Sequence, residues 1–442
     1  MKKNIYILLL LCLFTSCEDI YNVSTPSDII YKVKIQLTYS DDYDLGTLSD
    51  VKVSLKSSLG TNYNTLTDAE GIASFEVPNG LYEVLSSDEK VLPDGTYNLN
   101  GYKSGIIIDP NFDTSTPIRI DMHVSAPSQI LIKELYNGGV QKDDGSGNYQ
   151  FDKYVKLYNN SPTPGKLKNF CLGMAGPYNA QGNNPEYENG KLTYEGKGFI
   201  PAQCAIWYLD KTLTIEPYSE IVIALTGAID HTKTYKNSVD LSNADYCTYD
   251  MEDFYNTSYY PTPSEKIQTE NYFKAYKYGQ ANAWPLSVSS PAFFIFTTEE
   301  APEEFASNVN NHYYLGGNEG KESFCCAKVP VDNIIDAIEV FYQPDLSKCL
   351  KRLTSAVDAG YVGLNNQQGH TLYRNVDKEA TEAIDGNKEK LVYGYSMNTE
   401  LSTDPSGIDA EASIRNGAII IYKDTNNSTN DFHERKQASM KD

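Results

Sequence analysis

Short runs of alternating apolar and polar residues recur along this chain, and they constrain its fold more than any other feature. The run 31–37 (YKVKIQL) alternates in this way, and Ala73, Phe75 and Val77 are likewise spaced by two. A period of two places every second side chain on the same face of a β-strand. Helical patterns are sparse, the 35 tyrosines favour strands, and Gly and Pro separate the runs. The sequence therefore predicts a mainly β fold.

Residues 31–125 are predicted to form a first unit. The segment TDAEG, which ends at Gly71, is typical of a turn because glycine adopts positive φ without strain. A strand over 73–77 follows, and Asn79-Gly80 reverses the chain into a returning strand. This order resembles the transthyretin-like or carboxypeptidase-regulatory-like β-sandwiches of bacterial surface proteins. The resemblance implies a spacer or a binding module.

Residues 128–435 are predicted to form a second unit. One run ends in the sequence ELYN at 134–137, another covers 154–161 (YVKLYNNS), and a Pro-containing turn precedes the apolar strand 221–224. This order resembles the lamin-tail domain, an immunoglobulin-like β-sandwich. The fold class expected for the whole chain is therefore a transthyretin-like β-sandwich followed by a lamin-tail-like β-sandwich.

Within the second unit, residues 227–325 are predicted to form a long, partly helical insertion. The pattern around 264–276 suggests a helix there. Later runs predict a strand within 329–341 and a final strand over 418–422.

The first 17 residues are typical of a lipoprotein signal peptide. Lys2 and Lys3 precede an apolar run over 5–14, and Cys17 follows two small polar residues. The run is shorter than the roughly 20 apolar residues that a membrane span requires. We therefore expect cleavage before Cys17 and acylation of its thiol. The alternative is an ordinary signal peptide with a chance cysteine.

Residues 18–30 are polar, as expected for a tether. The pair Glu18-Asp19 resembles the surface-export signal of Bacteroidetes lipoproteins. We therefore expect a protein that is lipid-anchored in the outer membrane and exposed at the cell surface.

The chain is acidic, with 59 Asp and Glu against 37 Lys and Arg and a net charge of −22. Such a balance argues against binding to nucleic acid, whose phosphates repel it. We expect the lipid to be the protein's attachment to the membrane.

Six cysteines remain in the mature chain. In an exported protein they permit up to three disulfides, and buried thiols are the alternative; no spacing typical of a metal site occurs among them. The six candidates for disulfides are Cys171, Cys204, Cys247, Cys325, Cys326 and Cys349.

One loop near the C-terminus is a candidate cation site. Its oxygen-bearing side chains recur with a spacing of two, as in the first half of a calcium-binding loop. The glycine and glutamate that complete such a loop are missing, so an Asx-rich turn is the alternative. Apart from Ca²⁺ at this loop we expect no cofactor, and the candidate ligands are Asp424, Asn426, Ser428, Asn430 and Asp431.

No nucleophile elbow, phosphate loop or paired-histidine motif occurs in the sequence. We therefore expect no enzymatic activity, with a hydrolase as a less favoured alternative. The Tyr-rich stretches 255–260 and 312–314 are either binding surfaces or core packing.

Four motifs, together with the lamin-tail-like opening of the second unit, resemble a family of uncharacterised Bacteroidetes outer-membrane lipoproteins. They are the segment 228–232 (AIDHT), Trp284-Pro285, the segment 351–353 (KRL) and the segment 424–432 (DTNNSTNDF). The resemblance implies an accessory protein associated with TonB-dependent receptors or neighbouring surface lipoproteins, in some cases in iron- or haem-related settings. We expect a non-catalytic binding or adhesion module, or alternatively an accessory that captures iron, haem or another nutrient for uptake.

Overall fold

The computed structural model describes residues 29–40, 42–92, 95–188, 191–394 and 403–442. The signal peptide, the acylation site Cys17 and most of the tether lie outside the described residues. The predictions for these parts of the chain therefore stay predictions.

The first unit consists of two sheets that share one core. The smaller sheet has the order β4-β1-β7 and the larger sheet has the order β3-β2-β5-β6-β8. Their strands are β1 Ile30–Thr38, β2 Lys52–Ser57, β3 Asn62–Leu66, β4 Ile72–Pro78, β5 Gly80–Leu92, β6 Gly95–Ile108, β7 Ile118–Asp121 and β8 His123–Ser125.

Strand β4 shows why the sequence folds in this way. Ala73, Phe75 and Val77 are buried in the core shared by the two sheets, whereas Ser74 and Glu76 are exposed. The turn before the strand closes with a hydrogen bond of 3.0 Å from the Gly71 amide to the Asp68 carbonyl. Gly71 has a φ of +74°, which only glycine adopts without strain. The predicted alternation and turn are confirmed.

The second unit is built on a sheet of twelve strands. Their order is β27-β26-β23-β14-β18-β22-β21-β20-β12-β9-β28-β29. A three-stranded sheet β17-β25-β24 and the pairs β10-β11, β13-β19 and β15-β16 accompany it. The buried indoles of Trp207 and Trp284 lie in its largest core.

The strands of the second unit have the following bounds: β9 Ile130–Tyr136, β10 Val140–Gln141, β11 Asn148–Tyr149, β12 Tyr154–Asn159, β13 Gly165–Leu167, β14 Phe170–Met174, β15 Tyr187–Glu188, β16 Lys191–Leu192, β17 Phe199–Gln203, β18 Ala205–Tyr208, β19 Leu213–Ile215, β20 Glu220–Ala224, β21 Tyr246–Thr248, β22 Tyr272–Lys277, β23 Ala292–Thr297, β24 His312–Tyr314, β25 Cys325–Pro330, β26 Ile334–Tyr342, β27 Val362–Leu364, β28 Thr371–Arg374 and β29 Phe432–Arg435.

The helices of the described ranges are short. The α-helices are α1 Pro302–Ser307, α2 Lys378–Ala383, α3 Ala410–Arg415 and α4 Ser428–Asp431. The 3₁₀ turns are His231–Lys233, Thr269–Asn271, Val309–Asn311, Leu315–Gly317, Glu322–Phe324, Val331–Asn333, Gln343–Lys348, Lys388–Lys390 and Ser439–Lys441. None of these helices has the length and apolar character of a membrane span. The predicted mainly β fold is confirmed.

The segment 227–325 differs from the predicted insertion. It supplies β21, β22 and β23, which are inner strands of the twelve-stranded sheet. The helix expected at 264–276 is wrong, because the segment ends in strand β22. There Phe273 and Ala275 are buried while Lys274 is exposed, so a period of two prevails over the helical pattern.

The final strand expected at 418–422 is also wrong. The segment forms a single bridge, between Tyr422 and Val376. Polar side chains, rather than a neighbouring strand, accept hydrogen bonds from the amides of Ile419 (Asn387 Oδ1, 2.8 Å) and Ile421 (Thr381 Oγ1, 3.0 Å). The chain therefore runs extended through a network of side chains, and the last strand is β29.

Candidate functional site

A cleft of about 640 Å³ lies between the two units. Its volume falls in the range of ordinary small-ligand sites. The first unit contributes the chain after β1 and parts of β6, β7 and β8. The lining residues are Tyr39, Ser40, Tyr102, Lys103, Ser104, Arg119, Ile120, Asp121, Met122 and His123 from the first unit, and Tyr187, Lys191, Leu192, Glu195, Gly196, Lys351, Leu353, Ser355 and Ala356 from the second.

Positive charge exceeds negative charge in this cleft. Lys103, Arg119 and Lys191 are exposed and form no ion pair with any other residue that the structure describes. The two carboxylates of the lining are engaged: Asp121 accepts a hydrogen bond from Thr38, and Glu195 accepts one of 2.7 Å from the Ser355 hydroxyl. In a chain with a net charge of −22, this local balance favours an anionic ligand.

The inner wall of the cleft is built from both units. The Lys351 ammonium lies 5.5 Å from the centre of the Tyr102 ring and donates hydrogen bonds to the carbonyls of Asp358, at 2.7 Å, and Gly360. Ser104 and Tyr187 meet across the units with their hydroxyl oxygens 3.3 Å apart. Burial raises the pKa of Tyr102, which therefore stays a neutral hydroxyl at pH 7. The wall is thus a fixed aromatic and hydroxyl surface.

Arg352 fixes the loop that carries Lys351. Its guanidinium donates to Glu339 Oε1 from Nε at 3.0 Å and from Nη2 at 2.7 Å, and both side chains are fully buried. Glu339 Oε2 also accepts from the amides of Arg352 and Leu353, each at 2.8 Å. One carboxylate therefore holds two successive amides and one guanidinium, which sets the position of the whole segment 351–353.

The predicted cation loop lies where the two units meet. Asn98 Nδ2 of β6 donates to the Asp424 carbonyl at 2.7 Å, and Asn100 Nδ2 donates to the Thr425 carbonyl. Asn426 Nδ2 donates to the Ser125 hydroxyl at 2.7 Å. Further along, the side chain of Asn430 donates to the Ser87 hydroxyl at 3.3 Å. The two asparagine side chains of the loop that were candidate ligands therefore face the first unit.

The loop carboxylates face the other way, towards Arg374. The Arg374 guanidinium donates to Asp336, and its Nη1 lies 3.5 Å from Asp424 Oδ1 and 3.9 Å from Asp431 Oδ2. Ser428 donates to Asp358 with both its hydroxyl, at 2.5 Å, and its amide, at 2.8 Å. The charge that this loop surrounds is thus the chain's own guanidinium.

Among the residues that the structure describes, no group of three or more His, Cys, Asp or Glu is arranged to hold a metal ion. Ca²⁺ binding by Asp424, Asn426, Ser428, Asn430 and Asp431 stays a prediction. Burial and the neighbouring Asp424 carboxylate raise the pKa of Asp431 to about 6, while Arg374 opposes this shift. The charge state of Asp431 therefore depends on both the Arg374 guanidinium and the Asp424 carboxylate.

The six cysteines are free thiols in the structure. Disulfides among these cysteines stay a prediction, and free thiols are the arrangement in the structure. Cys171 and Cys325 lie in one hydrophobic cluster, whereas Cys247 and Cys349 lie in two others. Vicinal Cys325 and Cys326 are successive residues of β25, whose side chains point to opposite faces of the sheet. Burial raises the pKa of the Cys204 thiol to about 11, so it is protonated at neutral pH.

Each Tyr-rich stretch contributes a ring to aromatic packing, whereas Tyr255 is 58% exposed. Tyr260 is buried and packs against Trp207 and Phe254, with ring centroids 5.7 and 6.2 Å apart. Tyr313 packs against Phe199 at 5.1 Å and donates to Glu186 at 2.5 Å. These contacts agree with the packing interpretation for Tyr260 and Tyr313.

Sequence reasoning missed the cations of the cleft. Lys103 lies on β6, Arg119 on β7 and Lys191 on β16, and each stands at an exposed position of its strand. An exposed cation on a strand looks like any other surface residue in a sequence. The segment 351–353, by contrast, was marked by the family resemblance and does reach the cleft.

Comparisons with known proteins agree with this architecture. The chain matches none of the curated proteins. Its fold is similar to that of a DUF4876 family protein from Bacteroides thetaiotaomicron VPI-5482, known from a crystal structure. The TM-score is 0.52 at 19% identity, over 92% of this chain and 96% of that chain. At this identity the likeness shows a shared fold.

A DUF3823 family protein from Parabacteroides merdae ATCC 43184 matches at a TM-score of 0.15 and 12% identity, over 33% of this chain and 66% of that chain. That similarity is too low to carry an argument about fold.

Residues 216–439 match the family described as a protein of unknown function, DUF4876. The matched segment holds half of the chain and includes the cleft segment 351–353 and the loop 424–431. The chain therefore belongs to the DUF4876 family of proteins of unknown function.

Proposed function

We propose that this protein is a non-catalytic, lipid-anchored outer-membrane protein that binds a small anionic ligand in the cleft between its two units. The observation that carries the proposal is a set of three cations, Lys103, Arg119 and Lys191, around a cleft of about 640 Å³ in an acidic protein; none of them forms an ion pair with a described residue. The surface location rests on the signal peptide, on Cys17 and on Glu18-Asp19. The two-sheet first unit supports the transthyretin-like interpretation, and the resemblance to a lamin-tail domain remains part of the proposal.

The lining indicates the chemistry of the ligand. Cations at the rim would pair with a carboxylate, phosphate or sulfate group. The hydroxyls of Ser40, Ser104 and Ser355 and the rings of Tyr102 and Tyr187 would suit a compact hydroxylated body. An acidic sugar combines both features. The proposed class of ligand is therefore a small hydroxylated organic anion.

The carboxylates of the cleft support a binding role over hydrolysis. Asp121 belongs to the first unit and Glu195 to the second, and Thr38 and Ser355 hold them in hydrogen bonds. A hydrolytic pair needs one carboxyl group that protonates the leaving group and another that activates the nucleophile. Two carboxylates fixed by neighbouring hydroxyls are better suited to orient a ligand.

The binding proposal is tested with glucuronate as the probe and glucose as its uncharged counterpart. Isothermal titration of the full-length protein should show binding of glucuronate and none of glucose. Arg119→Ala and Lys191→Ala should each weaken binding about tenfold, because each removes one charge-assisted hydrogen bond. Lys166→Ala is the matched control, since Lys166 is an exposed strand lysine outside the cleft. Equal affinity in all three variants would contradict the proposal.

The anchor is tested separately. Cys17→Ala should abolish incorporation of labelled fatty acid and release the protein from the membrane fraction. Retention of label by the variant would show that Cys17 is not the acylated residue.

One observation favours the more specific form of the proposal, an accessory that captures iron or haem for a TonB-dependent receptor. His123 lines the cleft, and burial lowers its pKa, so the imidazole is neutral at pH 7 and keeps a lone pair for a metal. Titration with haemin should then give a shifted Soret band that His123→Ala removes. Co-purification from native outer membranes should recover a transporter. A flat titration would reject haem as the cargo, and an isolated protein would reject the receptor partnership.

A further inference from the structure

One end of the first unit exposes large apolar side chains from separate parts of the chain. Leu59 in the turn after β2 is 93% exposed, and Ile107 on β6 is 65% exposed. We call this surface the apolar end; its residues are Ile29, Ile30, Leu59, Leu81 and Ile107.

Strand register brings these residues together. Leu81 of β5 and Ile107 of β6 are direct cross-strand partners, so their side chains share one face of the sheet. Their neighbours Tyr82 and Ile108 are buried, so that face is the outer one. The Ser58 amide donates to the Leu81 carbonyl at 2.9 Å, which places the turn carrying Leu59 beside the pair.

The first strand, β1, begins at this same end of the first unit. Ile30 is paired with Pro78 at the end of β4, and β5 begins two residues later at Gly80. The tether thus enters the fold at the apolar end.

The segments that carry Leu59, Leu81 and Ile107 are also free of charge. The segments 57–67, 77–82 and 104–108 contain no Asp, Glu, Lys or Arg, although 22% of the whole chain is charged. Solvent-facing strands of a soluble protein ordinarily carry charged side chains on such a surface. The composition therefore suits an environment other than water.

The tether identifies that environment. Eleven residues, 18–28, separate the proposed acylation site Cys17 from Ile29. Even fully extended they reach at most roughly 40 Å, so the apolar end stays close to the membrane surface. Five side chains cover well under the roughly 800 Å² that each partner buries in a stable protein interface. Shallow insertion into the headgroup boundary requires only such a small patch.

We propose that the apolar end inserts into the headgroup boundary of the bilayer that holds the lipid anchor. This inference rests on the proposed acylation of Cys17. The lipid and the apolar end then form two points of attachment, which fix the orientation of the first unit on the membrane. The tether alone would leave the unit free to rotate.

The test places a tryptophan at the apolar end of the full acylated protein. Leu59→Trp and, independently, Ile107→Trp are reconstituted into vesicles of phosphatidylethanolamine and phosphatidylglycerol with brominated acyl chains. The matched control is Leu66→Trp. Leu66 is 55% exposed on β3 of the same sheet, and it is paired with Lys52, at the end of β2 opposite to the turn with Leu59. The native tryptophans 207 and 284 are buried and give a common background.

Brominated lipid should quench about half of the added emission in both apolar-end variants and leave that of Leu66→Trp unchanged, since shallow insertion reaches the acyl boundary. Co-flotation with vesicles reports on the lipid anchor, and quenching reports on the apolar end. Flotation without quenching would overturn the inference and leave the anchor standing. Equal quenching of the control would overturn it as well, because adsorption would then involve the whole surface. Failure to float would overturn both the anchor and the inference.

Discussion

Arg374→Met is the substitution whose effect follows most directly from the structure. The Arg374 side chain is fully buried, and three carboxylates surround it, from Asp336, Asp424 and Asp431. It also donates to two backbone carbonyls, that of Ile132 from Nε at 2.6 Å and that of Lys423 from Nη1 at 2.8 Å. Methionine fills much of the same volume but removes the charge and every donor.

The expected loss is about 4 kcal/mol at pH 8. Removing one partner of a buried ion pair costs about 3–5 kcal/mol, because it leaves an uncompensated charge in the interior. A folded protein is stable by only about 5–15 kcal/mol, so the loss is a large share of the total. The urea midpoint should fall steeply while the slope m stays unchanged.

The loss should depend on pH. Burial raises the pKa of Asp336 to about 7 and that of Asp431 to about 6, and Arg374 opposes both shifts. Both folded values lie above the unfolded value of about 3.9. The stability that such groups contribute is fully present below about pH 4 and is lost as pH rises through 6 to 7. Without Arg374 the pKa values rise further, so the deficit of the variant should grow between pH 5 and pH 8.

Urea titration followed by emission of the buried tryptophans measures both effects. Arg415→Met is the control: Arg415 is exposed and forms no ion pair with a described residue, so its loss should change stability by less than about 0.5 kcal/mol. A deficit below about 1 kcal/mol for Arg374→Met at pH 8, or one that does not vary with pH, would refute the reasoning.

Three further predictions concern the interior and the interface. Lys133→Met should cost about 3–5 kcal/mol, because the fully buried ammonium pairs with Glu220 and with Glu411, the latter at 2.9 Å. Lys133 lowers the pKa of both glutamates, so in the wild type the stability from these pairs is present above about pH 4 and is lost on further acidification. Urea titrations at pH 3 and pH 7 check this trend. Asn98→Ala should cost about 1–3 kcal/mol, because it leaves the Asp424 carbonyl without its hydrogen-bond donor. Calorimetry should then show the first unit unfolding at a lower temperature. An unchanged thermogram would contradict the interface described above. The mature, unreduced protein should react slowly with Ellman's reagent and expose six thiols in denaturant, whereas fewer than six would indicate disulfides.

Local patterns were reliable where a strand alternates and no helical pattern competes with it. The alternation at 73–77 and the turn at Gly71 needed only nearest neighbours, and both appear as expected. The segment 264–276 failed because two patterns compete there, and the choice between them depends on its partners β18 and β21. The segment 418–422 failed because asparagine and threonine side chains far along the chain take its hydrogen bonds.

The loop 424–431 shows how a correct observation can leave the outcome open. Its oxygen-rich spacing is plain in the sequence, and the structure does place two of its carboxylates around a positive charge. That charge is the guanidinium of Arg374, which lies 50 residues before Asp424. The sequence of the loop does not show whether its oxygens surround a cationic side chain or a metal ion from solution, because the same oxygens can bind either.

By itself the sequence determined the mainly β fold, the acidic surface and the predicted lipid attachment, since each depends on composition or on residues close together in the chain. Tertiary structure alone decided the cleft, the cations that line it and the contacts between the two units. The hydrogen bond between Asn98 and Asp424 spans 326 residues. Such contacts have no local signal, because their geometry exists only after the sheets have paired and the units have packed together.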